Sequence, residues 1–255
     1  MAMRPYTYID FASEPIPLQL AADGTVAAAG DNENTVHHFI GGTLESNVTG
    51  ALTTDLPVFA KEATNGPGMN TPLLSADAVA MEFGQGVLTS AHMEFTIGTS
   101  PAFFVRLKAD IPDVSDYDVV AVGFRKQGAY QNITTPATHA LGYDDLCTIG
   151  IHDGAGAINT VSELNNSGSA TVTDTTDAWT DGLQVDMKVL VSATGVVTFQ
   201  HDVASAGTLA APTAVGTFTF DTGDVVIPYF VIVPTLDIGA SGDAISLISY
   251  ECGYQ

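Results

Sequence analysis

Two clusters of aspartates contain the residues of this sequence best suited to binding a metal ion. Asp110, Asp113, Asp116 and Asp118 lie between two runs of alternating apolar residues. Carboxylate and carbonyl oxygens at this density are ligands that Ca²⁺ accepts. The other interpretation is a solvated acidic turn, which we favour because the spacing lacks the glycine and the terminal glutamate of a calcium loop. The aspartates of the second cluster, which carry the same two interpretations, are Asp174, Asp177 and Asp181.

The only tryptophan, Trp179, lies within this second acidic cluster. An indole ring can stack on a sugar ring, so Trp179 is a candidate glycan-binding residue. A tryptophan is more often a core or loop-packing residue, and we favour that interpretation. If the chain binds glycans, the further candidate stacking platforms are Tyr117, Tyr130 and Tyr143.

Known catalytic motifs do not occur in the sequence. It has no Gly-rich phosphate loop, no zincin His-Glu pair, no Gly-x-Ser-x-Gly elbow and no paired-cysteine metal motif. It has eight glutamates, and none belongs to the closely spaced Glu/Asp strand motif that hydrolytic lectin-like sandwiches use. We therefore expect a protein that is not an enzyme and that has no cofactor.

The histidines and cysteines do not predict a metal centre. His37 and His38 are adjacent, so on a strand their side chains point to opposite faces and do not easily share one ion. The other histidines are scattered along the chain. Cys147 and Cys252 lie in apolar strand-like contexts, and we expect them to be buried thiols.

The charge of the chain is strongly negative, with 29 acidic and 7 basic residues and a formal net charge of -22. Such a field repels phosphate backbones, so nucleic acid is not an expected partner. Arg106, Lys108, Arg125 and Lys126 fall in one short stretch. They form either a local positive spot facing an acidic neighbour or a set of solvent-facing strand residues, the interpretation we favour. No apolar run approaches the roughly 20 residues of a membrane helix, so a membrane is not expected as a partner.

Alternating apolar runs predict antiparallel strands in the carboxyl-terminal two-thirds of the chain. In 103–108, three apolar residues alternate with Phe104, Arg106 and Lys108. The run 185–199 predicts a hairpin around an Ala-Thr-Gly turn. The run 225–233 is apolar on both faces, as in a central strand, and Pro228 within it predicts a bulge or break. These signals predict an all-β fold, an antiparallel β-sandwich.

The first 72 residues differ in amino-acid composition from the rest of the chain. They are rich in Ala, Gly, Asn, Thr and Pro. We interpret residues 1–72 as an extended N-terminal arm with short strands, around 36–40 and 56–60, and residues 73–255 as the β-sandwich domain. Since an arm of this kind buries little of its own surface, we expect it to pack on the sandwich or on a neighbouring subunit.

Several segments resemble those of tailed-phage structural proteins from marine environments, over about residues 69 to 255. In such proteins the hairpin resembles the laminin-G and concanavalin-A-like sandwich, a jelly roll. In this chain the hairpin is followed by Asp202-Val203, without the usual glycine after the aspartate. The segments are Met69–Asp77, Val119–Lys126, Asp174–Gly182, Leu183–His201 and Phe218–Gly223.

The resemblance implies a non-enzymatic virion structural protein. It would be a capsid decoration, cement or head-fibre component that docks on the major capsid protein or other virion proteins, at the capsid surface after assembly in the host cytoplasm. We expect a homo-oligomer, since many copies engaging at once raise avidity. The alternative is a carbohydrate-binding, lectin-like module for host attachment. A hydrolase of the same fold class is the third interpretation, and the scattered glutamates support it least.

Overall fold

A five-stranded and a ten-stranded antiparallel sheet carry most of the regular structure in the computed structural model. The structure describes residues 6–11, 18–21, 32–39, 42–49, 58–62, 66–70, 80–84, 93–128, 143–152, 156–165, 170–234 and 245–255. Among these residues the helical structure is a single 3-10 turn, Val114–Asp116. In the same segments, no helix has the length and apolarity that crossing a membrane requires. The predicted fold class, an all-β antiparallel β-sandwich, is confirmed.

The five-stranded sheet combines the two ends of the chain with its middle. Its strands are β1 (Tyr6–Asp10), β9 (Phe103–Asp110), β14 (Gln184–Val191), β15 (Val197–Asp202) and β17 (Ser246–Tyr254). Their order is β1-β17-β9-β14-β15, so β9 is the central strand. The predicted hairpin is confirmed as β14 and β15, which pair directly.

The ten-stranded sheet has the order β13-β12-β11-β10-β16-β7-β4-β3-β2, and β8 also pairs with β16. A separate hairpin consists of β5 (Val58–Glu62) and β6 (Gly66–Asn70). The strands of the ten-stranded sheet are β2 (Leu18–Ala21), β3 (Asn32–Phe39), β4 (Gly42–Thr49), β7 (Ala80–Gly84), β8 (Phe95–Thr96), β10 (Tyr117–Lys126), β11 (Leu146–Ile151), β12 (Ala157–Glu163), β13 (Thr171–Ala178) and β16 (Val225–Pro234).

The main core lies between the inner faces of the two sheets. An aromatic contact across this space joins them. Phe103 on β9 stacks on Phe95 of β8 with ring centroids 4.2 Å apart, and it meets the edge of Phe124 on β10 at 5.0 Å. All three rings are buried. Because side chains alternate along a strand, burying these positions directs their chain neighbours to the outer faces.

Strand β16 is apolar on both faces because both faces are covered. Phe230 and Ile232 belong to the core between the sheets, whereas Tyr229 and Val231 belong to a second apolar cluster on the other side of the ten-stranded sheet. The prediction of a central strand is therefore confirmed. Cys147 and Cys252 are buried free thiols, as expected.

The predicted bulge or break at Pro228 is wrong. Strand β16 is continuous, and Pro228 pairs in register with Phe124 of β10. On the other side of β16, β8 pairs with Val225 and Val226, and β7 pairs with 229–232. Pro228 lies in the gap between these two partners, so its missing N–H group interrupts neither ladder.

The described strands of residues 1–72 take part in both sheets. Strand β1 pairs with β17 at the edge of the five-stranded sheet, and β4 pairs with β7, which extends the other sheet through β3 to β2. Strands β3 and β5 overlap the two strands predicted here, whose positions 40 and 56–57 lie outside the described residues. The division of the chain at residue 72 stays a prediction.

We expect Phe103→Ala to lower the free energy of unfolding by about 3–5 kcal/mol, because the truncation leaves a cavity where the two sheets meet. Val172→Ala is the matched control, since Val172 is 39% exposed on β13 and its loss costs at most about 0.5 kcal/mol. Urea denaturation of both variants measures the difference. Equal losses would contradict this packing arrangement.

Candidate functional site

The outward side of the five-stranded sheet brings charged and aromatic side chains together from four strands. On β9, Arg106 stands opposite Lys188 of β14 and Glu251 of β17, and Tyr8 of β1 stands opposite Glu251 on its other side. Residues directly opposite on neighbouring strands are close enough to interact. We call this surface the tyrosine-lysine face; its residues are Tyr6, Tyr8, Phe104, Arg106, Lys108, Asp186, Lys188 and Glu251.

Arg106 is fixed between two carboxylates at the centre of the tyrosine-lysine face. Its Nε donates to Asp186 Oδ1 at 2.8 Å, and its Nη2 donates to Asp186 Oδ2 at 2.6 Å. Its Nη1 donates to Glu251 Oε2 at 3.4 Å. The hydrogen bond to Asp186 raises the pKa of Arg106. A guanidinium that binds one carboxylate through two parallel hydrogen bonds is held in one orientation.

Two tyrosines on β1 form the exposed aromatic part of this face. Tyr6 is 54% exposed and Tyr8 is 45% exposed. The Tyr6 hydroxyl donates to Glu251 Oε1 at 2.5 Å, and its ring lies 6.5 Å from the ring of Phe104. Desolvation, followed by the hydrogen bond to Glu251, raises the pKa of Tyr6 to about 12. The phenol therefore stays a neutral donor around neutral pH.

The two lysines of the face differ in their surroundings. Lys188 Nζ lies 4.2 Å from the ring centroid of Phe104, within the range of a cation–π contact. Burial lowers the pKa of Lys188, and the charge of Arg106 acts in the same direction. Lys108 is half-buried and stands opposite Asp186 in the β9/β14 register.

A second polar cluster lies on the side of the ten-stranded sheet that faces away from the five-stranded sheet. Arg125 on β10 and Glu82 on β7 form an ion pair, with Nε donating to Oε1 at 2.6 Å, and both side chains are fully buried. The hydroxyl of Tyr143 donates to Glu82 Oε2. The guanidinium lies 4.3 Å from the ring centroid of Tyr143 and 5.9 Å from that of Tyr229. We call these four residues the Glu82 cluster.

The Glu82 cluster holds a charge in an apolar setting. Burial raises the pKa of Glu82, and the opposing effects of Arg125 and Tyr143 offset this only in part. Glycoside hydrolysis uses two carboxyl groups on either side of the scissile bond. The cluster has one carboxylate, and both of its oxygens are hydrogen-bonded. It can fix the packing of β7 against β10 across β16, but it does not supply that pair.

The candidate calcium aspartates lie along a strand, a turn and a strand. Asp110 ends β9, Asp116 lies in the 3-10 turn and Asp118 lies in β10. Asp113 caps the turn, since its Oδ1 accepts hydrogen bonds from Ser115 N at 3.0 Å and Ser115 Oγ at 2.6 Å. Burial raises the pKa of Asp110 and of Asp118. Within the described segments, no three His, Cys, Asp or Glu residues are grouped so that they could hold a metal ion.

Trp179 packs in the main core with its ring 2% exposed, which agrees with the packing interpretation favoured from the sequence and leaves no face free for sugar stacking. Its Nε1 donates to the carbonyl of Leu183 at 2.9 Å, which satisfies the polar edge inside the protein. Tyr117 and Tyr143 are also buried. Tyr130 lies outside the described residues. Among the residues whose side chains the structure describes, the exposed aromatic rings are those of Tyr6 and Tyr8, which the sequence analysis missed because β1 was assigned to the arm.

The aspartates around Trp179 have separate local partners. Asp174 Oδ1 accepts from Thr176 N at 2.8 Å, and Asp181 Oδ1 accepts from Val114 N at 2.9 Å. Asp177 Oδ2 lies 2.9 Å from His201 Nε2. The contacts of Asp177 and Asp181 connect this segment to His201 and Val114, whereas that of Asp174 stays within β13.

The four basic residues of the stretch 106–126 are divided between the two sheets. Arg106 and Lys108 lie on the tyrosine-lysine face, whereas Arg125 is fully buried in the Glu82 cluster. Lys126 Nζ contacts Asp145 and Asp224, each at 2.8 Å. The interpretation of all four as solvent-facing is wrong for Arg125. Lys188 also belongs to the face, and the sequence analysis did not identify it. Its alternation with buried Met187 and Val189 predicts that its side chain points outward, but it does not predict that Arg106 is its neighbour.

Comparison with known proteins gives a fold and no family. No protein-family model and no curated protein matches the sequence. A protein of unknown function from Shewanella oneidensis MR-1 superposes with a TM-score of 0.50 at 15% identity, covering 97% of this chain and 85% of that chain. At this identity the likeness concerns the fold alone.

Two further structures superpose with lower scores. Lectin II from Ulex europaeus has a TM-score of 0.49 at 11% identity, covering 82% of this chain and 92% of that chain. The metal-free exoplasmic/lumenal domain of VIP36 has a TM-score of 0.48 at 10% identity, covering 82% of this chain and 84% of that chain.

We expect Arg125→Met to lower the free energy of unfolding by about 3–5 kcal/mol near neutral pH, because Glu82 is left buried without its cation. Burial raises the pKa of Glu82, so the folded variant binds a proton more readily than the unfolded chain. Its stability must therefore rise as the pH falls through the raised pKa of Glu82 towards the ordinary range of a glutamate. Denaturant titrations across this range measure the slope.

The double variant Glu82→Gln/Arg125→Met is the control, since it removes the charge together with its partner. We expect it to lose less stability than Arg125→Met and to show no such rise at low pH. The same pH slope in both variants would contradict a buried charged pair.

Proposed function

We propose that this chain is a non-enzymatic structural protein of a virus particle that docks on other particle proteins through the tyrosine-lysine face. The observation that carries the proposal is the pair of exposed tyrosines beside the fixed guanidinium of Arg106. Tyrosine and arginine are enriched at the centres of protein interfaces, where they supply most of the binding energy. Within the particle, the protein acts as a capsid decoration, cement or head-fibre component, and its partner is the major capsid protein.

The tyrosine-lysine face is suited to docking because it is rigid before binding. Its strands are held from behind by the core, in which Phe103, Val105 and Leu107 of β9 are buried. Arg106 is held by Asp186 and Glu251. Side chains that are already ordered lose little conformational entropy on association, so more of the contact energy is available for affinity.

The virus-particle part of the proposal is supported by the segments that resemble tailed-phage structural proteins. Many copies on one particle engage together, so each contact can be modest in strength. The net charge of -22 keeps free copies apart in solution. Screening by salt reduces this repulsion beyond about 10 Å at 0.1 M ionic strength, so copies can still assemble side by side.

Docking is tested by cosedimentation with purified particles produced without this chain. We expect Tyr6→Ala/Tyr8→Ala to bind at least about tenfold more weakly than the natural sequence, since both rings belong to the contact. Val172→Ala/Val215→Ala is the matched control, because both valines are exposed on other surfaces, at 39% and 42%. Thermal denaturation checks that both variants fold. Equal cosedimentation of the two variants, or none by the natural sequence, would refute the proposal.

The second candidate function is carbohydrate binding for host attachment. It is favoured by the exposure of Tyr6 and Tyr8 on one side of β1, where alternate residues lie about 6.8 Å apart and could stack on successive sugar rings. A glycan array separates the two functions. Protein docking predicts no glycan signal, whereas clean binding of one neutral sugar that is lost in Tyr6→Ala/Tyr8→Ala would replace docking by a lectin role.

A further inference from the structure

Most of the described cations of this acidic chain are neutralised by carboxylates. Arg106 contacts Asp186 and Glu251, Arg125 contacts Glu82, and Lys126 contacts Asp145 and Asp224. Two lysines differ. In the part of the chain that the structure describes, Lys108 and Lys188 make no ion pair within 4.0 Å, although the sequence has 29 acidic residues.

The two lysines are neighbours on the tyrosine-lysine face. Lys108 pairs with Asp186 in the register of β9 and β14, and Arg106 pairs with Lys188, so the lysines occupy diagonal positions. Diagonal residues on antiparallel strands lie about 7–8 Å apart. On an extended chain, alternate side chains point to one side at about 6.8 Å intervals. Two carboxylates at alternate positions of an extended segment therefore match the spacing of the lysines.

Three acidic side chains beside the lysines on this face, Asp186, Glu251 and Asp202, already have other partners. Arg106 holds Asp186 and Glu251. Asp202 stands opposite Asp186, but its carboxylate accepts hydrogen bonds from the backbone N–H groups of residues 204 and 206–208. Asp10 and Asp110 lie at the ends of β1 and β9. They repel carboxylates placed beyond the lysines, so they restrict where an acidic segment can bind.

We infer that the tyrosine-lysine face binds an extended acidic segment of a partner protein, with carboxylates at two alternate residues placed over Lys108 and Lys188. This inference rests on the proposed docking function, because the segment belongs to the docking partner. Tyr8 lies in the same row of the sheet as Glu251, Arg106 and Lys188, so it supplies apolar contact beside the charged groups. Ion pairs at a flat, partly exposed surface add specificity and speed to association more than affinity.

The probe for this inference is a fluorescent peptide of alternating glutamate and threonine, compared with its glutamine counterpart by fluorescence anisotropy. The natural sequence should bind the acidic peptide and not the neutral one. Lys108→Gln/Lys188→Gln should weaken binding at least about tenfold. Lys126→Gln is the control, since Lys126 lies on the other sheet and is 42% exposed. No binding by the natural sequence, or equal binding by all three proteins, would overturn the inference.

Two further outcomes would assign the tyrosine-lysine face to a ligand other than an acidic segment. Tighter binding of dextran sulfate than of the acidic peptide would assign the face to an anionic polysaccharide and overturn the inference. Concentration-dependent dimers in sedimentation equilibrium, lost in Lys108→Gln/Lys188→Gln, would assign it to a second copy of the chain and also overturn it.

The particle assay distinguishes a failure of this inference from a failure of docking itself. If Lys108→Gln/Lys188→Gln cosediments with particles as the natural sequence does, while Tyr6→Ala/Tyr8→Ala does not, docking stands and the acidic segment is refuted. If the natural sequence binds the acidic peptide but no particle, the lysine assignment stands and the virion partner is refuted. Loss of particle binding in both variants supports both the docking function and the acidic segment.

Discussion

Packing between the inner faces of the two sheets is the constraint on which the other features depend. The Phe95, Phe103 and Phe124 rings meet across the sandwich, and the alternation of side chains extends this contact along every strand of the core. Most inner positions are therefore occupied by apolar residues. Groups that bind other molecules must lie on the outward sides of the sheets or in the turns.

The charged side chains on the outward sides of the two sheets differ in how deeply they are buried. On the ten-stranded sheet, Glu82 and Arg125 are fully buried, an arrangement in which desolvation opposes the attraction and the pair fixes geometry more than it adds stability. On the five-stranded sheet, the network around Arg106 remains partly exposed, with two tyrosines beside it. A surface that is both ordered and accessible is suited to docking a partner.

Local pattern in the sequence predicted the sandwich class, strand β9, the β14/β15 hairpin and the central position of β16. It could not predict which strands are neighbours. Asp186 and Glu251 lie 80 and 145 residues from Arg106 along the chain and meet it only through sheet register, which depends on the whole fold. Arg125 was misjudged for a related reason, because its burial depends on Glu82 and Tyr143, which are distant in sequence.

Hydroxyl-radical footprinting of the protein, free and bound to particles, tests docking through the tyrosine-lysine face most directly. Oxidation of Tyr6 and Tyr8, read by mass spectrometry, reports their accessibility, and exposed Val196 and Val215 serve as internal references. The account predicts that the two tyrosines become protected on the particle while the valines keep their reactivity. Unchanged tyrosines together with protected valines would show that another surface makes the contact.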